Sequence, residues 1–88
     1  MELEELEAKV KAFDKKTGFD KTDFKKLVEM VKEEVKILES NPEKKDIVNR
    51  KLTDLLVLIM QIGYRYDIDL DLELSKWFEK SQKYLKRV

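Results

Sequence analysis

The sequence predicts an all-α protein, a four-helix bundle with helices over residues 2–16, 22–40, 42–66 and 70–87. In each stretch apolar residues recur three and four apart, the period of a helix face rather than of a strand. Two Gly and one Pro in 88 residues leave little turn chemistry for a sheet of short strands. A hydrophobic content of 42% over that length fills a single core, so residues 1–88 are expected to form one domain.

Helix one carries Leu3, Leu6, Val10 and Phe13 as a narrow stripe, and Thr17-Gly18 supplies its stop. Asp20 or Thr22 can cap helix two, whose Phe24, Leu27, Val28, Val31, Val35 and Leu38 form a continuous inward stripe. Met30 and Ile37 give that helix a second, weaker stripe with Glu33 between them, and a second stripe needs a second partner. Asn41-Pro42 reads as a start signal for helix three, because Asn caps free amides and Pro tolerates the first turn. Within helix three, Leu55 to Met60 is apolar on every side, which suits a helix covered all round, and Gly63 permits close contact or marks a weak point. Asp69 caps helix four, where Leu70, Leu74, Trp77, Phe78 and Leu85 recur along a Lys-rich element. The short connections favour antiparallel neighbours.

Composition narrows the chemistry. Nineteen Lys plus Arg balance nineteen Asp plus Glu, interspersed, so no basic stripe gathers nucleic acid by counterion release. Without Cys or His, thiol catalysis, disulfides and the commonest zinc ligands are excluded, and any enzyme must work with carboxylates. The acidic start lacks an apolar signal region and the longest apolar run is too short for a bilayer, so a cytoplasmic, non-membrane protein is expected. A charged fraction of 43%, rich in Lys and Glu, is also compatible with a thermophilic source.

From helix two onward a family pattern emerges. The stretches FDKKTGFDKTDFKKLVEMVKEEVKIL and KLTDLLVLIMQIGYRYDIDLDLELSKWFEKSQKYLKR resemble the all-α MazG-like nucleotide pyrophosphohydrolases along nearly the whole chain. That family carries Glu-Glu-x-x-Glu on one helix and Glu-x-x-Asp on the next, then a helix-ending turn, an Ile-Asp-Leu segment and a Lys-rich final helix. The resemblance implies Mg²⁺ held by four of those acids, cleavage of a nucleoside triphosphate to monophosphate and pyrophosphate, and sites formed between paired subunits, hence a homo-oligomer, dimer or tetramer.

The metal motif matches in part. Anchored on the preceding Leu-Val, the four ligand positions fall on Met30, Glu33, Lys51 and Asp54, so two of four carboxylates are substituted. Sliding the first motif to Glu33-Glu34 restores an adjacent acidic pair but breaks the anchor and loses the third acid, so the anchored register is preferred. Hard Mg²⁺ takes oxygen ligands; Met offers none, and an ammonium at position 51 repels the ion. Lys51 instead reads as an internal cation for Glu33 and Asp54, on an inner line of Lys51, Asp54, Leu58, Gln61 and Arg65. Glu29 and Glu34 are substitute ligands in an active enzyme and otherwise pair with nearby lysines.

Trp77, with Phe78, Tyr64 and Tyr66, offers a base-stacking surface and Lys80, with Lys76 and Lys83, a phosphate contact for a nucleotide; ordinary core packing and a solvated lysine face are the competing readings. Three functions follow. The leading one is a MazG-like protein with a degenerate metal site, weak or inactive, acting as a binding or oligomerisation module. The others are an active Mg²⁺-dependent pyrophosphohydrolase, and a helical interaction module that uses the apolar surface of helix three and the Met30 face.

Overall fold

The computed structural model describes residues 2–85, which form four α-helices and no strand. They are α1 (Leu3–Thr17), α2 (Phe24–Ser40), α3 (Lys45–Arg65) and α4 (Leu70–Leu85), with a 3₁₀ turn at Phe19–Lys21 between α1 and α2. The sequence expectation that helix four runs to residue 87 extends outside the described residues. No helix among them is long and apolar enough to cross a membrane.

Several of the termini have an identifiable cause. Gly18 ends α1 at φ 80°, a left-handed position that glycine adopts without a Cβ clash. Neither Asp20 nor Thr22 caps α2; Asp23 does, its carboxylate accepting from the Lys26 amide at 2.7 Å. Asn41 also departs from expectation. Its side chain donates to the Ile37 carbonyl at 2.8 Å, closing α2, and α3 starts only at Lys45 after the turn containing Pro42. Asp69 caps α4 through the Leu72 amide at 3.0 Å.

The end of α3 forms a Schellman turn. Ile68 N–H donates to Gly63 O and Asp67 N–H to Tyr64 O, at 3.0 and 3.2 Å, with Asp67 itself in the left-handed region at φ 55°. Arg65, one residue before this cap, reaches back across the fold. Its guanidinium donates to the Thr22 carbonyl and, at 2.8 Å, to that of Phe19, tying the 3₁₀ turn to α3.

The principal packing is α2 against α3; α1 crosses the C-terminal half of α3, and α4 rests on α1. Leu27, Leu58 and Met60 are the buried apolar core. Two expected stripes hold in part: Leu3, Leu6 and Val10 of α1 and Leu27, Val28, Val31 and Leu38 of α2 are buried or half-buried. In α1 the inward place belongs to Asp14, fully buried, while Phe13 is 63% exposed. In α2, Phe24 and Val35 are about half exposed, and Glu34 lies on the half-buried side that faces α3. Nor is α3 covered all round: Leu56, Val57 and Ile59 are exposed, because α1 and α2 occupy only part of its circumference. Gly63 is buried where α1 and α4 approach, a Cβ there falling 3.0 Å from Glu7 Oε1 and 3.4 Å from Leu70.

With so few fully buried apolar side chains, each carries a large share of stability. Leu27→Ala is expected to destabilise the fold by about 2–5 kcal/mol, measured by urea denaturation.

Candidate functional site

The polar line of α3 runs along the edge of the interior, with Lys51 and Arg65 half-buried and Asp54 exposed. Spacings of three and four put Lys51, Asp54, Leu58, Gln61 and Arg65 on one side of the helix, and that side meets α2 and α1. Lys51 Nζ lies 3.0 Å from Glu34 Oε2 and 3.4 Å from Asp54 Oδ2. The approach to Glu34 is off the direction of a well-aimed hydrogen bond, so attraction between charges holds it. The contact with Glu34 raises the pKa of the ammonium above the ordinary lysine range, against a smaller desolvation effect that lowers it.

The partner of Lys51 on α2 is therefore Glu34 rather than Glu33. Residues 33 and 34 are 100° apart round a helix, and it is Glu34 that turns towards α3, while Glu33 shares an exposed hollow with Glu29, Lys32 and Lys36. Met30, one turn before Glu34, lines a groove with Glu34, Asp54, Phe13, Phe19 and Gln61. Met30, Glu34 and Asp54 are thus brought together; Glu29 and Glu33 are not part of that groove. Trp77 and Lys80 lie on α4, where Trp77 is 59% exposed and packs edge-on to Phe78 with ring centres 5.1 Å apart. Neither belongs to the Glu34–Asp54 groove.

The donor set fits Mg²⁺ poorly. No group of three or more acids among the described residues is arranged to hold a metal ion, and the ammonium of Lys51 stands where a cation bridging Glu34 and Asp54 would have to sit.

Two turns further along α3 lies a second polar cluster. The Asp14 carboxylate accepts from Gln61 Nε2 at 2.9 Å and from Tyr64 OH at 2.5 Å. Burial, then the bond to Asp14, raises the Tyr64 phenol above its ordinary pKa. Lys11 and Arg65 approach the Tyr64 ring, each 5.9 Å from its centre. Sequence reasoning missed Asp14 as an interior residue. The available signal was the line Leu3, Glu7, Val10 and Asp14, which keeps helical spacing as well as the stripe ending at Phe13 does.

At the far end of α3 the α3–α4 corner is acidic. Glu4, Glu7, Asp67 and Asp69 line one hollow, and Asp71 accepts from the Glu4 amide at 3.1 Å. Glu7 Oε1 is buried without a hydrogen-bond partner. Burial first, then Asp71, Asp69 and Glu4, hold the Glu7 carboxyl above its ordinary pKa.

Comparison of the chain with family models, with characterised proteins and with solved structures yields no match.

The Asp14 cluster makes a direct prediction. Tyr64→Phe keeps the ring but removes a donor from a buried carboxylate, and is expected to destabilise the fold by about 1.5–3 kcal/mol in urea denaturation.

Proposed function

We propose that the chain is a non-catalytic helical binding and assembly module on the MazG-like plan, in which a lysine takes the place of a divalent cation. The observation that carries this reading is the position of Lys51 between Glu34 and Asp54. In a metal-dependent pyrophosphohydrolase, carboxylates from two packed helices are neutralised by Mg²⁺, which also gathers the triphosphate. Here the chain's own ammonium neutralises them. That arrangement preserves the packing of α2 on α3 and removes the open, positively charged ion a triphosphate would meet.

Met30 supports the same reading. It occupies the groove beside Glu34 and Asp54, and a thioether gives a hard cation no oxygen. The aromatic and lysine residues of α4 do not supply a nucleotide site to this groove within one chain, so Trp77 and Lys80 are read as surface residues.

Thermal melting with millimolar Mg²⁺ or Mn²⁺ tests the proposal. The wild-type chain is expected to show no metal-dependent change in Tm, whereas M30E/K51E, which assembles four carboxylates, gains several degrees at saturating metal. Metal stabilisation of the wild type, with release of pyrophosphate from a nucleoside triphosphate, would contradict it. A folded M30E/K51E that ignores metal would overturn the placement of the site.

A further inference from the structure

We propose that the groove where α1 and α2 both meet α3 binds a small organic monocation, a primary ammonium carried on an apolar body, with Glu34 and Asp54 as its counter-charge. The inference rests on the reading of the chain as a non-catalytic binding module and names the class of its ligand.

The first observation is the shape and lining of the groove. Its volume, about 330 Å³, lies in the range of sites for small molecules. The walls are Phe13 from α1, Phe19 from the 3₁₀ turn, Met30 from α2 and Val57 from α3. Phe13 and Val57 stand open to solvent, while Leu58 and Gln61 beneath them are each 5% exposed. An apolar surface of this kind is therefore already formed and uncovered, on a fixed floor.

The second observation is charge. Among the described residues, the charged side chains that line the groove are Glu34 and Asp54. Lys51 reaches them from outside the lining, 3.0 Å from Oε2 of the first and 3.4 Å from Oδ2 of the second. Two carboxylates and one ammonium leave a single negative charge, and each carboxylate keeps a second oxygen. The Asp54 side chain is 52% exposed, so that charge is within reach of a ligand in solution.

Together these two features select among ligands. A phosphate or a carboxylate would meet two acids of its own sign. A neutral apolar molecule would fill the walls but take water from the acids with nothing in return. A divalent ion finds no third acid arranged for it among the described residues, and the apolar walls give it no oxygen. A monocation on an apolar body satisfies both halves of the groove. Its ammonium neutralises the remaining charge, and its body covers aromatic and thioether walls that themselves favour a cation and a ring.

NMR titration of the intact chain with phenethylammonium, a probe of this class, tests the inference. Saturable shifts at Phe13, Met30 and Val57 are expected at millimolar probe. Phenethyl alcohol lacks the charge, hydrocinnamate reverses it and ethylammonium lacks the ring; each should bind about threefold or more weakly than the probe. D54N and F13A change exposed side chains, leave the fold intact, and should each weaken binding of the probe by about threefold or more. E33Q removes the same charge from the neighbouring hollow outside the groove and should leave binding unchanged. Absence of saturable binding, equal binding of the neutral or anionic analogue, indifference to D54N and F13A, or an equal loss in E33Q would each overturn the inference. Where that failure occurs in a chain that ignores Mg²⁺, the non-catalytic reading still stands; stabilisation of the fold by Mg²⁺ with displacement of the probe would overturn both.

Discussion

The inner line of α3 has to satisfy, turn by turn, a polar group that a neighbouring element brings to it. Lys51 meets Glu34 of α2, Gln61 and Tyr64 meet Asp14 of α1, and Arg65 meets the carbonyls of Phe19 and Thr22 in the connecting turn. Each contact joins residues far apart in the chain and fixes the rotation of an incoming helix. Apolar packing draws helices together without specifying which residue faces in. These polar pairings specify it, because a buried carboxylate turned away from its donors loses several times the free energy of one well-made hydrogen bond.

That constraint links the packing of the fold to its chemistry. Glu34 of α2 and the half-exposed Asp54 of α3 share one cation, and either a metal ion or a side-chain ammonium can fill that role. A metal would be exchangeable and would leave positions open for water or phosphate. Lys51 is covalently attached and pairs with both acids, Glu34 Oε2 at 3.0 Å and Asp54 Oδ2 at 3.4 Å. The same economy of core explains the bare outer face: with Leu27, Leu58 and Met60 as the buried apolar set, the remaining hydrophobic surface of α3 and α4 lies outside the single chain's interior.

Much of the architecture was legible in the sequence because it rests on local chemistry. Helical spacing marks all four elements, Gly18 and Asp69 mark ends that the chain uses, and the polar line from Lys51 to Arg65 is visible within an apolar helix. What could not be read depends on residues distant in the chain. Phe13 and Asp14 compete for one inward place on α1, and the outcome is decided by Gln61 and Tyr64, nearly fifty positions away. Glu33 and Glu34 compete in the same manner, and Lys51 decides between them. Asn41 is a good residue at either end of a helix; only the donation to Ile37 O reveals that it closes α2. The Leu55 to Met60 run shows how apolar α3 is and says nothing about how many neighbours surround it.

The central claim is that the Lys51 ammonium occupies the place between Glu34 and Asp54 that a bridging cation would need, and side-chain NMR of Lys51, Glu34 and Asp54 through a Mg²⁺ titration tests it most directly. The account predicts that Lys51 titrates above the ordinary lysine range and that the carboxyl resonances of Glu34 and Asp54 do not move with Mg²⁺. A Lys51 that titrates as a free lysine, together with saturable Mg²⁺-dependent shifts at both carboxylates, would contradict it.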